Sequence, residues 1–298
     1  MPRWYDARFE WLYWTREFSN SLALTSVGIL GPDVLNLDDL GFQEESGARV
    51  TIAYPIAAAT SLEFSLMGGL NWSSSAEVFG DGNLYSVFSD FGSMPLNGFP
   101  ETDEANYASV AISTELDSTA LNLRHRWVSA GCLMHCSTMV GVRYIRLRDD
   151  LVHETFTDVG EMSYQLKTDN DLVGSQIGGD LYFSITPRFK VGAEIEAGLY
   201  GIHANQRTNV FCTSCEPLRE RGSESDVAFA GEGGVMAMFS LTPRMSLRAG
   251  YQVMYLNGVA TAASNFNTAS PFASRDTFIN ASDEITFHGA TVGFEATW

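Results

Sequence analysis

The sequence predicts an all-β fold: an antiparallel up-and-down transmembrane β-barrel of about ten strands, forming one domain over residues 1–298. Three observations predict it. No apolar run is long enough for a membrane helix, side-chain polarity alternates with a period of two in about ten segments, and short connections alternate with long ones. A spanning helix needs about 20 apolar residues, whereas the longest N-terminal apolar stretch, Leu22 to Leu30, is short and broken by Thr25 and Ser26. Hydrophobic residues make up 45 % of the chain, an ordinary share, so patterning has to decide the class.

The elements follow in chain order. In the first, Tyr5, Ala7, Phe9, Trp11 and Tyr13 oppose Asp6, Arg8 and Glu10. A strand sends alternate side chains to opposite faces, while a helix would scatter both sets. Val50, Ile52 and Tyr54 repeat the pattern, followed by Leu62, Phe64, Leu66, Leu70 and Trp72 read as one face. Next come Val140, Val142 and Tyr144, then Val173, Ile177, Leu181, Phe183 and Ile185. Phe189, Val191, Ala193, Ile195, Ala197 and Leu199 oppose Lys190, Gly192, Glu194, Glu196 and Gly198. Val227, Phe229, Val235, Ala237 and Phe239 oppose Ala228, Glu232, Gly234 and Ser240. Met245, Leu247, Ala249, Tyr251, Val253 and Tyr255 oppose Ser246, Arg248, Gly250 and Gln252. The last strand ends on Ala290, Val292, Phe294, Ala296 and Trp298. If Tyr107 to Thr114 contributes to an extra hairpin, the count rises to twelve.

Short turns are expected at 57–61, 129–136, 186–188 and 242–244, and long polar loops at 19–46, 74–106, 156–161, 207–222 and 261–283. That order matches short periplasmic turns and long external loops in an outer-membrane barrel, with both chain ends periplasmic. The non-apolar face would then line the lumen. It carries Arg8, Glu10, Arg49, Arg124, Arg126, Arg143, Asp180, Lys190, Glu194, Glu196, Glu232, Arg248 and Glu295. Glycines on this face, such as Gly192 and Gly250, leave space, although a barrel of about ten strands lies near the side-chain-filled end of the range. Aromatics are expected in two girdles at the lipid–water interfaces: Tyr5, Tyr54, Trp127, Phe189, Phe239 and Trp298 at one rim, and Tyr13, Trp72, Tyr144 and Tyr255 at the other.

Several stretches carry a resemblance: Gly47 to Tyr54, Ser61 to Phe64, Leu121 to Arg126, Gly141 to Leu147, Asn170 to Gly174, Gly192 to Leu199, Arg248 to Gln252, His288 to Ala290 and Gly293 to Ala296. Taken in order, they resemble a bacterial outer-membrane β-barrel porin family over nearly the whole chain. The resemblance implies an integral outer-membrane protein in contact with lipid, with passive, restricted passage of small solutes or ions. A closed structural or adhesive barrel displaying surface loops is the alternative, and a barrel enzyme a more remote one.

Charge and cysteine usage complete the reading. The net charge of −18 argues against nucleic acid as a partner, because phosphates need a basic surface. Acids gather in the expected loops (Asp33, Asp38, Asp39, Glu44, Glu45; Glu101, Asp103, Glu104; Asp149, Asp150, Glu154, Asp158), where they keep loops soluble or attract divalent cations. Cys132 with Cys136 and Cys212 with Cys215 are expected as two local disulfides, since both compartments are oxidising. Free thiols, or a metal site using His135, are the alternatives. Neither a resident metal nor a cofactor is expected. A rim catalytic site would have to draw on His153 and His203 with Asp149, Asp150, Asp169 and Asp171, a pattern too loose to predict an enzyme. Met1 to Asp6 does not read as an export signal, so the signal is expected to have been removed or to lie upstream.

Overall fold

The computed structural model describes residues 6–17, 21–94, 100–128, 133–268 and 279–297. Its strands are β1 (Asp6–Glu17), β2 (Ala23–Val27), β3 (Asp33–Asn36), β4 (Glu45–Ala57), β5 (Thr60–Ser86), β6 (Asp103–Val128), β7 (Met134–Thr157), β8 (Gly160–Ser184), β9 (Phe189–Cys212), β10 (Leu218–Thr242), β11 (Met245–Val259) and β12 (Asp283–Thr297). β1 pairs antiparallel with both β4 and β12, and β5 pairs with β6, which closes a barrel of ten strands. β2 and β3 form a hairpin docked on the outer end of β5. These are the two strands beyond ten. Tyr107 to Thr114, the segment that could have raised the count, belongs to β6.

The strands are much longer than the alternation indicates. β5 has 27 residues, and β6 to β10 have 24 to 26. At about 3.3 Å per residue and a tilt of about 40°, a barrel wall of this length stands roughly 60 Å tall. A bilayer core occupies only about half of that. The expected loop at 207–222 is therefore largely strand, that at 74–106 is strand up to Ser86 and again from Asp103, and 156–161 is a tight turn between β7 and β8.

Alternation persists along the full strands, but its polarity inverts part-way. In the lower half of β8, exposed Leu181, Ile177 and Val173 point outward while Gln176, Gly178 and Asp180 point inward. Higher up, Asp169, Lys167 and Gln165 point outward while Leu166, Tyr164 and Met162 are buried inside. The lower half is an apolar belt about 25 Å tall, the height of a lipid-facing band. Ile195 is 68 % exposed there, a waste of apolar surface unless lipid covers it. The upper half is a collar with the face polarity of a water-soluble barrel: polar outside, apolar inside.

One sequence assignment is overturned by a bulge. Leu70 and Trp72 do not continue the outward face of Leu62, Phe64 and Leu66; both are fully buried in the lumen. The β5–β6 register slips between Met67 and Leu70, and Gly69 takes φ +81°, a left-handed conformation natural only to glycine. A one-residue slip moves every later side chain to the opposite face, so Trp72 is no girdle residue. Of the other girdle positions, Tyr13, Tyr54, Trp127 and Phe239 are exposed and outward, while Phe189, Tyr144 and Tyr255 are half-buried. Tyr5 and Trp298 lie outside the described residues.

Candidate functional site within the barrel lumen

The inward side chains stack in three tiers, starting from the end that carries both termini and the short turns. The lowest is a polar vestibule of about 610 Å3, lined by Arg8, Arg124, Arg126, Asp180, Lys190, Glu194, Arg248 and Glu295. Arg124 donates to Glu63 (2.8 Å) and to Asp180, and Arg126 donates to Asp6 (2.8 Å). Above it Arg248, almost fully buried, faces Glu10 (3.4 Å), Glu194 (2.6 Å) and Glu295 (3.5 Å). Beside these, Arg49 donates to Glu232 (2.5 Å), and Arg143 lies 3.1 Å from Glu232 and 3.8 Å from Glu196. All thirteen inward charges named from the sequence thus share one interior. Most are spent on each other: charges taken out of water need a partner in hydrogen-bonding reach.

The second tier is apolar. Leu12, Trp14, Met67, Leu70, Trp72, Ile145, Leu172, Tyr200, Met254 and Phe287 fill the lumen cross-section. Trp72 stacks on Phe287 at 4.7 Å and donates Nε1–H to the Trp14 carbonyl at 2.8 Å. The inner glycines do not keep this interior open. The Tyr182 ring lies over Gly192 and the Met236 side chain over Gly250.

The third tier is a plug in the collar. The segment after β11 enters the barrel and is held by Asn170, whose side chain both donates to the Ala260 carbonyl and accepts from its amide, each at 2.8 Å. Asp149 accepts from the Ala262 amide (3.3 Å) and from the Arg16 guanidinium (3.1 Å). Phe266 then packs on Phe88 and Tyr164. Buried His153 sits in this cluster. Its Nδ1 is 2.8 Å from the Ser109 carbonyl and its Nε2 has no hydrogen-bond partner. Burial among aromatics pushes its imidazole down to about 4.

The remaining sequence candidates scatter. His203 is exposed on the outer face and bonds Ser225, opposite in direction to His153. Asp150 pairs outward with Lys167 (2.6 Å), Asp169 lies outward against Arg148 (3.0 Å), and Asp171 accepts from Tyr144. Glu101 accepts from the Ser214 amide (2.7 Å), and Asp103 from Ser89 (2.5 Å) and the Ser86 amide, inside the folded outer mouth. Burial raises the Asp103 carboxyl above its ordinary range. Among the described residues no group of three His, Cys, Asp or Glu gathers as a metal site. Cys212, the last residue of β9, forms a disulfide with Cys215. Cys132 lies outside the described residues, so its pairing does too, and Cys136 is a free cysteine among those described. Trp14, Arg16, Asn170 and the plug escaped the sequence reading, because they lie where the polarity of the two faces exchanges.

No family model matches the chain, and no curated protein matches it. Among solved structures, the outer membrane protease OmpT from Escherichia coli matches over 100 % of this chain and 99 % of its own, with TM-score 0.55 and 11 % identity. The translocator domain of autotransporter NalP from Neisseria meningitidis matches over 99 % and 88 %, with TM-score 0.41 and 11 % identity. At this identity such likeness speaks to fold alone. The chain is a closed transmembrane β-barrel with the fold of bacterial outer-membrane proteins.

Proposed function

We propose that this protein is an integral outer-membrane barrel with a closed lumen, anchored by its apolar belt, whose working surface is the extracellular collar and the loops seated in it. The observation that carries this reading is the three-tiered filling of the interior, above all the plug clamped by Asn170. In this reading the end with the short turns and the termini, and with it the vestibule, faces the periplasm. His153 faces inward among aromatics and His203 outward, so these two histidines do not share one site.

A second reading, porin-like restricted passage of small solutes or ions, is favoured by the vestibule, which reaches into the lumen from one end. Planar-bilayer conductance of the refolded protein separates the two. Closed-barrel behaviour predicts silence from protein shown to be folded and inserted. Steady, protein-dependent current steps would replace that reading with the porin-like one, and the reversal potential would then report the sign of the lumen charges.

A further inference from the structure

High on the collar, the outer wall carries aromatic rings where lipid does not reach. Phe79, Tyr107 and Phe156 are register partners across β5, β6 and β7, with ring centroids 5.1 and 5.7 Å apart. Phe79 is 72 % exposed. On β7, Phe156 stands beyond Arg146 by ten residues, about 25 Å higher at about 3.3 Å per residue and a tilt of about 40°. Beside this ladder the wall holds a cleft of about 200 Å3. Phe156 on β7 and Phe211 on β9 line it, Ser163 on β8 lies between those strands, and Glu154 and Glu161 border it. Clustered apolar surface left in water marks a contact surface.

The charge at this height has one sign. The stretches that build this part of the wall and its tip, 74–112, 150–165 and 208–218, contain no lysine or arginine. Their outward carboxylates meet neutral donors: Glu77 the Tyr107 hydroxyl (3.0 Å), Glu154 the Ser163 hydroxyl (3.3 Å) and Asp158 the Asn106 amide (2.7 Å). Neither these three nor Glu161 has an ion pair among the described residues. Lower on the wall, Lys167 is taken by Asp150 (2.6 Å), and Arg219 lies on β10 opposite Asn209, with β9 between it and Glu161.

We propose that this cleft and the ladder beside it bind an arginine-bearing cationic peptide on the extracellular side; the proposal rests on the reading of the collar as the working surface and names its partner. The chemistry follows from phenyl faces set next to unpaired carboxylates. A guanidinium plane stacks on an aromatic face while its N–H fork reaches a carboxylate, and the cleft offers both within reach of one side chain. A hydrated metal ion gains nothing from phenyl walls, and among the described residues no three metal-ligating side chains gather here. Away from the cleft the wall is an open sheet face that encloses no small ligand. An extended chain can instead lie along it, with further arginines over Tyr107 and Phe79 and beside Glu77.

The test is titration of fluorescein-labelled tetra-arginine with the full folded chain in zwitterionic detergent, read by fluorescence anisotropy. An ionic strength of about 0.15 M screens charges more than about 8 Å away. Saturable binding is expected, tighter than that of equally labelled tetra-lysine. Phe156→Ser with Phe211→Ser should weaken it at least about fivefold, and Glu154→Gln with Glu161→Gln roughly tenfold. Glu224→Gln with Asp226→Asn removes the same charge from an exposed part of β10 and should leave affinity within about twofold. Absence of saturable binding to folded wild-type protein, an unchanged affinity in the phenylalanine pair, or equal losses in the two acidic pairs overturns the site. Tetra-lysine binding as tightly overturns its assignment to arginine. Should the phenylalanine pair not fold, the two acidic pairs decide: unequal losses support the site and equal losses overturn it. Anisotropy does not register the state of the lumen, so current steps in the bilayer overturn the closed-barrel reading and loss of peptide binding overturns this site, as separate results.

Discussion

A single arginine placed at two heights on the same strand face tests where lipid ends. Val142 and Val152 both point outward from β7. Val142 is 56 % exposed and lies four residues below Arg146, the first outward charge on that strand. Four residues at about 3.3 Å each, tilted by about 40°, put it about 10 Å inside a belt about 25 Å tall, close to the bilayer middle. Arginine there should cost about 2–4 kcal/mol. Val152 stands six residues beyond Arg146, about 15 Å higher by the same arithmetic, between outward Asp150 and Glu154. An arginine at that height is an ordinary surface change, within about 0.5 kcal/mol. The assay is refolding into phosphatidylcholine vesicles across a denaturant titration, read by tryptophan emission and by gel mobility of unboiled samples. Equal costs at the two positions, or a larger cost at Val152, would refute the assignment of belt and collar.

Other perturbations probe the interior. Arg248→Gln removes the cation that pairs with Glu10, Glu194 and Glu295 and should cost about 3–5 kcal/mol, seen as a lower denaturant midpoint with an unchanged slope. Gly69→Val forces a branched residue into φ +81° at the β5 bulge; a loss of at least about 1–2 kcal/mol is expected in the same titration. His153 adds a pH dependence. Its folded-state value, about 4, is below the ordinary 6.5, so the unfolded chain binds the proton more tightly. The associated stability is complete above pH about 6.5 and drains as pH falls towards 4, by up to about 3 kcal/mol. His153→Phe should flatten that part of the stability profile, and an unchanged profile would show that other groups cause it.

The period of two was sufficient to recover the barrel class, the number of barrel strands and the inward set of charges, because lipid outside and paired ions inside give the belt its strongest contrast. It did not reveal the collar, since the same alternation there runs with reversed polarity and reads as a polar loop. The signal was present as doubled apolar residues where the phase changes: Leu172 beside Val173 on β8, and Ile145 beside Tyr144 on β7. Trp72 was misplaced for a different reason. A bulge at Gly69 adds one residue to the count, and a face assignment carried across it fails for every later side chain. The plug could not be read at all, because Asn170 and Ala260 meet through the fold across 90 positions of sequence.

The reversal of polarity along each strand also sets a kinetic problem for assembly. Hairpins that insert from the periplasmic side must carry the collar through the hydrocarbon before it reaches water on the far side. Arg146, Arg148, Asp169, Lys167 and Asp150 cross before their own strands stand clear of lipid. Their pairing across neighbouring strands, such as Arg148 with Glu115 and Asp169 or Lys167 with Asp150, lowers the charge exposed in transit only if β6, β7 and β8 are already zipped together. Translocation of a preformed sheet, rather than of single strands, is therefore the low-barrier route, and bilayer thickness should govern the rate of folding more steeply than its end point.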